Sequence, residues 1–365
     1  MADSSQSFVL NAWYAIGWET DIGSALKPLT ICGIPMVAYR RFDRKVAVLQ
    51  DSCWHRGLPL SLGRLIEDEV ECAYHGLKFT SEGTCTFVPG QKVVPASACV
   101  RAFPAIEKHR LVWVWPGRSE LADPELVPDL HWADDPEWSC EGNSLEIACD
   151  YRLLLDNLMD LTHETYVHGS SIGHRAILDA PFEVTQHGGG VTLSRWMSDV
   201  AAPPFLAMQL RLAHGLAEVT QVDRWQIIHF EAPSTVEIDV GVAPVGTGAR
   251  EGARSAGVSG RVLNVITPKT PSSCYYHFGF ARSFRLDSRD LDAEIKNAIT
   301  RIFNEDKIIL EAQQKALDTN PDLRLRNLAI DRAAVSVRRL IDLQLEKERK
   351  ARADVTDAPP RSTRN

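Results

Sequence analysis

Two short stretches of this 365-residue chain carry the residue types of metal chemistry. Cys53-Trp54-His55-Arg56-Gly57 is followed by Cys72-Ala73-Tyr74-His75-Gly76. Each holds one cysteine and one histidine ahead of a glycine, and sixteen residues separate His55 from Cys72. The simplest alternative is four unrelated loop residues, which would not be expected to repeat a Cys/His pair before glycine. A single zinc ion accepts two thiolates and two imidazoles tetrahedrally, but zinc fingers usually group Cys with Cys and His with His. One thiolate and one imidazole per loop suits two inequivalent metals instead. Each loop then gives its Cys to one metal and its His to the other. That is the ligand set of a [2Fe–2S] centre in which two His replace two Cys on one iron, raising its potential. The glycines fit tight turns and close backbone approach to such a cluster.

A second constellation lies in DYRLLLDNLMDLTHETYVH (150–168), which reads as helix. Asn157, Asp160 and His163 are three apart and share one helical face. His168 lies five beyond His163, so both imidazoles converge on one metal only if the helix bends. A lone histidine here would most simply be a hydrogen-bonded structural residue. Two histidines with an aspartate among Leu158, Met159 and Leu161 point instead to the two-His, one-carboxylate triad of non-heme Fe(II) oxygenases. The carboxylate must come from elsewhere. FNEDKIILEAQ offers Glu305, Asp306 and Glu311, any of which could be a solvated surface acid, and their spacing leaves the choice open.

These residues need elements to hold them. LTICGI (29–34), MVAYR (36–40), KVAVLQ (45–50) and LVWVWPG (111–117) read as strands between turn signals, so a small all-β unit carries the Cys/His loops. Residues 121–140, rich in Asp, Pro and Trp, read as a linker. Residues 181–280 read as strands with a turn at 187–190. Residues 241–260 read as a mobile Gly/Ala-rich loop. Amphipathic helices are expected over 291–317 and about 329–350, followed by a polar tail. The expected fold class is α+β, with an all-β iron–sulfur domain over 1–130 and then a domain over 131–350 with an antiparallel sheet flanked by helices. Residues 351–365 are expected to be disordered.

Composition narrows the setting. The chain is 44% hydrophobic and 24% charged, enough apolar material for more than one core. A net charge of -8 gives no basic footprint for nucleic acid. No signal peptide and no membrane span is read, so a cytoplasmic location is expected. The eight cysteines are then free thiols or metal ligands rather than disulfides. No GxGxxG fingerprint for a nucleotide is evident.

Over nearly its whole length the chain resembles the Rieske non-heme iron oxygenases, and among them the aromatic O-demethylases. The likeness runs through NAWY (11–14), both Cys/His loops, WVWPG (113–117), ACDYRLLLDNLMDLTHETYVH (148–168), APPF (202–205), VDRWQI (222–227), ITP (266–268), ARSF (281–284) and the NED of the long helix. It implies Cys53, His55, Cys72 and His75 as ligands of a Rieske [2Fe–2S] cluster. It implies His163, His168 and Asp306 as ligands of a mononuclear Fe(II), and with them 131–350 as the catalytic domain. Asp160 matches a carboxylate that bridges to His75 of a neighbouring subunit in a homotrimer, and Asn157 a polar residue near the iron. Tyr275 aligns with a pocket position, and strand alternation turns His277 the same way. Trp54 stands where the family often has proline. The implied activity is oxidative O-demethylation of a methoxylated aromatic acid, vanillate to protocatechuate and formaldehyde being the leading case. It would use O2 and electrons from NADH through a flavin/iron–sulfur reductase. Ring dihydroxylation or alkyl hydroxylation by the same machinery would give a different product. A bare Rieske electron carrier would hold about two irons per chain instead of three.

Overall fold

A computed structural model describes residues 7–169, 171–215 and 221–356. The N-terminal part is all β. Strands β1 (Tyr14–Trp18), β10 (Ala105–Lys108) and β11 (Leu111–Val114) form one antiparallel sheet in the order β1-β11-β10. Strands β2 (Lys27–Ile31), β3 (Ile34–Arg40), β4 (Val46–Gln50) and β9 (Ala102–Phe103) form a second. Short strands β5 (Arg64–Ile66), β6 (Glu69–Glu71), β7 (Lys78–Phe79) and β8 (Cys85–Phe87) form a third, which carries the second Cys/His loop between β6 and β7.

The segment expected as a linker is packed. Three single 3-10 turns occupy it, and Val127, Leu130 and Ala133 are buried with Trp13, Trp113 and Trp115. Trp13 Nε1 donates to the Asp123 carbonyl at 2.7 Å. Pro and Asp break regular structure, but the apolar residues between them still seek a core.

The C-terminal part is built on one seven-stranded antiparallel sheet. Its strands are β12 (Ser139–Ile147), β13 (Phe182–His187), β14 (Gly190–Ala201), β15 (Gln221–Glu231), β16 (Thr235–Pro244), β17 (Val258–Thr270) and β18 (Ser273–Arg282). The order is β12-β18-β17-β16-β15-β14-β13. Helices α1 (Tyr151–Leu158), α2 (Glu164–Val167) and α3 (Ala176–Asp179) lie between β12 and β13, and α4 (Pro204–His214) between β14 and β15. Helices α5 (Arg289–Thr319) and α6 (Arg332–Thr356) follow. This is the expected α+β arrangement with an antiparallel sheet and flanking helices. α4 falls within the stretch read as strands. Its Pro204 suits the first turn of a helix, and Gly215 closes it in the left-handed region at φ +68°.

One sheet face takes α5, whose Phe303 meets Tyr276 and Phe278 at ring distances of 5.1 and 4.6 Å. The opposite face takes the N-terminal domain. There Thr267 Oγ1 donates to the Ala15 carbonyl at 2.6 Å, and Cys32 N to the Pro268 carbonyl at 2.8 Å. The Trp18 indole lies over the cross-strand pair Gly142 and Gly279, where a Cβ on Gly142 would come within 2.2 Å of the ring. α6 clamps the assembly: Arg338 Nε donates to Asp156 at 2.7 Å, and Glu348 accepts the Leu10 and Asn11 amides at 3.0 and 2.6 Å.

The loop expected over 241–260 is shorter, since β16 extends to Pro244 and β17 starts at Val258. It is also pinned. Arg254 Nη1 donates to Asp239 at 2.7 Å, its guanidinium lies 4.8 Å from the Trp225 ring, and Ala249 is buried. α6 continues to Thr356, six residues into the segment expected as disordered, because ARADVT contains no helix breaker. Residues 357–365 of that segment lie outside the described residues. Among the described residues no helix is long and apolar enough to cross a membrane.

Candidate metal centres and substrate cavity

The two Cys/His loops share one backbone design. Gly57 N donates to the Cys53 carbonyl at 2.8 Å and Gly76 N to the Cys72 carbonyl at 3.0 Å. Cys53 N reaches the Leu58 carbonyl and Cys72 N the Leu77 carbonyl, both at 2.8 Å. Gly57 and Gly76 sit at φ +69° and +74°, a region that a side chain makes costly. Both cysteines are buried beside Val70 and Phe79, while both histidines are exposed. The imidazoles of His55 and His75 meet at 4.6 Å between ring centres. Burial pushes the Cys53 thiol up, the His55 amide opposes this, and the Cys72 thiol beside it adds to the rise. The four groups thus sort into an inner thiol pair and an outer imidazole pair.

The four do not gather around one point. Among the described residues, one group of at least three His, Cys or acidic side chains brings its ligand atoms within 4.8 Å: His163, His168 and Asp306. A single tetrahedral zinc would require such gathering in the loops too. Separate thiol and imidazole pairs fit a two-iron cluster with unlike ends.

The second centre depends on a break in the expected helix. α1 is capped by Asp150, whose carboxylate accepts the Arg152 amide at 2.9 Å, and ends at Leu158. Asp160 then turns extended, with φ -125° and ψ 102°, and caps a new 3-10 turn by accepting the Thr162 amide at 2.8 Å. Aspartate favours such caps over helix interiors because its carboxylate competes for backbone amides. Asn157, Asp160 and His163 are therefore not three positions on one regular helix. The break supplies the bend that convergence of His163 and His168 requires.

Asp306 comes from α5, on the buried stripe of Ile295, Ile299, Ile302, Phe303 and Leu310. Its Oδ1 lies 3.1 Å from His168 Nε2, 3.5 Å from His163 Nε2 and 3.0 Å from Asn157 Nδ2. His168 Nδ1 lies 2.7 Å from Glu305 Oε2, and His163 Nδ1 contacts the Asp160 carbonyl. Each imidazole thus has an oxygen partner at Nδ1 and turns Nε2 towards the common point. Histidine ligands of metals are held in this way. Burial would lower the basicity of His168, but Asp306 and then Glu305 more than offset this and hold it up at about 9. Two imidazoles, His168 buried and His163 half-buried, facing a buried carboxylate make a site that calls for a cation.

Of the other acids, Glu305 supports His168, and Glu311 accepts the Ala148 amide at 3.0 Å, a structural role. Tyr275 and His277 are not in this site. His277 is buried on the opposite sheet face, with Nδ1 2.8 Å from Ser144 Oγ, and Lys269 Nζ lies 5.4 Å from the Tyr275 ring. The alternation along β18 was sound, but the inward set is the other parity: Tyr276 and Phe278 meet α5, and Phe280 lines the cavity beside the triad.

That cavity is walled mainly by apolar residues, including Leu158, Phe205, Leu206, Ile238, Val262 and Phe303. Glu164, Arg224 and Gln226 also line it and are all buried. Arg224 Nη2 donates to Glu164 Oε2 at 3.0 Å, and Gln226 Nε2 donates to Glu164 Oε1. The sequence reading passed over this trio. A signal was present in β15, whose inward positions read Val222, Arg224, Gln226, Ile228, Phe230: two polar residues inside an apolar row.

Comparison with known proteins supplies independent findings. Residues 12–104 match the Rieske [2Fe-2S] domain and residues 147–347 the vanillate O-demethylase oxygenase C-terminal domain. The chain is 46% identical over 325 residues to a vanillate O-demethylase oxygenase subunit from Pseudomonas sp., covering 89% of this chain and 98% of that one. It is similar to the crystal structure of dicamba monooxygenase bound to 3,6-dichlorosalicylic acid, with a TM-score of 0.86, 34% identity and coverage of 93% and 98% of the two chains. A structure of dicamba monooxygenase with non-heme iron and dicamba matches at a TM-score of 0.80 and 32% identity, covering 94% and 99%.

Proposed function

The chain belongs to the Rieske non-heme iron oxygenases of the vanillate O-demethylase type, and on that basis we propose that it demethylates a methoxylated aromatic acid. Vanillate, giving protocatechuate and formaldehyde, is the leading substrate. The single observation that carries this reading is the His163/His168/Asp306 triad opening onto an apolar cavity of a chain that also bears the Cys/His loops.

In this reading Cys53 and Cys72 hold one iron of the cluster, and His55 and His75 hold the other. His163, His168 and Asp306 hold the mononuclear iron. When bound, the cluster supplies electrons one at a time and the mononuclear iron supplies oxygen activation. The protein's own groups do the rest. The Asp160 carbonyl and the Glu305 carboxylate hold the Nδ1 protons of His163 and His168, keeping each Nε2 free to ligate. Asn157 Nδ2 orients the Asp306 carboxylate. Leu158, Phe205 and Phe303 keep bulk water away and pack against an aromatic ring. In the overall reaction ArOCH3, O2, NADH and H+ give ArOH, formaldehyde, NAD+ and water. The methoxy carbon gains one oxygen, and the hemiacetal so formed falls apart to phenol and formaldehyde.

The donor protein is a separate NADH-dependent flavin/iron–sulfur reductase, and the setting is cytoplasmic, in keeping with eight cysteines none of which is paired in a disulfide. The assembly is a homotrimer in which the cluster tip of one subunit meets the Asp160 region of the next. Exposed apolar side chains on both regions support this. Trp54, Tyr74 and Phe87 stand on the cluster domain, and Ile309 and Leu325 line a cleft with Asn157 and Asp160.

A panel of methoxybenzoates, assayed with purified protein and reductase for formaldehyde, tests the activity. Release from at least one member is expected, and none from any would refute it; a cis-diol as main product would assign ring dihydroxylation instead. For the bridging role, Asp160→Asn should keep both metal centres yet lose most turnover. Full activity in that variant would remove Asp160 from the electron path.

A further inference from the structure

The cavity beside the triad has a polar corner whose hydrogen bonding is incomplete. Glu164 is used up: Oε2 accepts from Arg224 and Oε1 from Gln226. Arg224 is not. Its Nε and Nη1 have no partner although the residue is only 2% exposed. Gln226 Oε1 is also without a partner, and its orientation is fixed, because reversing the amide would set that oxygen against the Glu164 carboxylate. Buried guanidinium donors and a buried amide oxygen are costly to leave unpaired. The remaining lining residues, apart from the iron triad, are apolar and offer side-chain acceptors to none of them. A ligand that fills the cavity can supply the missing partners. Guanidinium donors call for an anionic oxygen, and an amide oxygen calls for a hydroxyl donor.

We propose that Arg224, clamped by Glu164, binds the anionic substituent of the substrate ring, its carboxylate, and that Gln226 Oε1 accepts from a ring hydroxyl. The site then selects phenolic aromatic acids over neutral methoxyarenes. This rests on the demethylase reading and refines it: it assigns to named residues the recognition of the acid group. Glu164 has two effects. It holds both side chains in place, and it balances the Arg224 charge in the apolar wall before substrate arrives.

The test is ligand binding to the iron-loaded protein without oxygen, by titration calorimetry, so that turnover is not the readout. The ligands are vanillate (acid and hydroxyl), 3-methoxybenzoate (acid alone) and 2-methoxyphenol (hydroxyl alone). In Arg224→Gln both acids should bind about 10- to 100-fold more weakly, the range of a charge-assisted hydrogen bond, and the methoxyphenol far less so. Gln226→Leu should weaken vanillate and 2-methoxyphenol and spare 3-methoxybenzoate. Removing Arg224 alone leaves Glu164 buried and unpaired, so Glu164→Gln/Arg224→Gln serves as the second variant, with circular dichroism and melting checked for both. Equal loss for all three ligands, or unchanged acid binding in a folded variant, would overturn the assignment. So would loss confined to the hydroxylated ligands in Arg224→Gln. Arg224-dependent acid binding with no formaldehyde from any methoxybenzoate would sink the demethylase reading and leave the anion site standing.

Discussion

At the scale of single residues, the two metal centres differ in how openly they can be read. Cys53, His55, Cys72 and His75 have few other reasons to occur at that spacing. Asp306 was less open, since Glu305 and Glu311 lie close in sequence, yet it continues the apolar stripe of α5 and neither neighbour does. A charge on a buried stripe needs a partner, and that was the available signal. Glu305 shows a complementary case: it lies off the stripe and reaches His168 Nδ1 at 2.7 Å. Glu305→Gln should retain the ring orientation through its amide oxygen but lose the carboxylate charge. Mononuclear iron should then be lost to a competing chelator about 10- to 100-fold more readily. Iron analysis with the visible absorption of the cluster as internal control checks this. Equal iron retention in variant and parent would show that Glu305 does not support the site.

At the scale of elements, local rules served well where the period was regular and failed at its interruptions. The strands read over 36–40 and 45–50 and the helix read over 291–317 match β3, β4 and α5, whereas the strand read over 29–34 runs across the Cys32–Gly33 turn that joins β2 to β3. The helix read over 150–168 did not hold, because Asp160 prefers to cap a new turn, and that break makes the iron site possible. In β18 the period was right and the parity was not. Nothing within CYYHFGF says which face meets α5 and which meets the N-terminal domain, since both faces are buried. The cluster loops allow a direct test of an element. Gly76 sits at φ +74°, where a Cβ is strained although it would only touch Pro89 at 3.4 Å. Gly76→Ala should cost about 1–2 kcal/mol, seen as a lower melting temperature and faster bleaching of the cluster. A variant that melts with the parent would mean that the loop adapts.

At the scale of the whole molecule, the seven-stranded sheet is a shared wall. One face builds the iron site with α5, and the other receives the cluster domain through Trp18, Ala15 and Thr267. His277 lies in that contact, and burial lowers its basicity to about 4, with Asp21 and Lys27 of the cluster domain acting on it in opposite directions. An unfolded histidine titrates near 6.5, so the unfolded chain takes up this proton first as pH falls. Stability should therefore drop between about pH 6.5 and 4 by on the order of 3 kcal/mol from this one group. Denaturation of the parent and of His277→Gln across that range checks it: the variant should show the shallower pH dependence, and matching slopes would rule the histidine out. The chain alone carried the ligand types, the order of the two domains and the span of α5, because spacing and periodicity are local properties that neighbouring residues enforce. Folding decided the rest. Which face of β18 meets the cavity, and the joining of Glu164 to Arg224 and Gln226 across sixty residues of chain, are contacts between distant segments. Their energies come from burial and pairing in three dimensions, which no local pattern encodes.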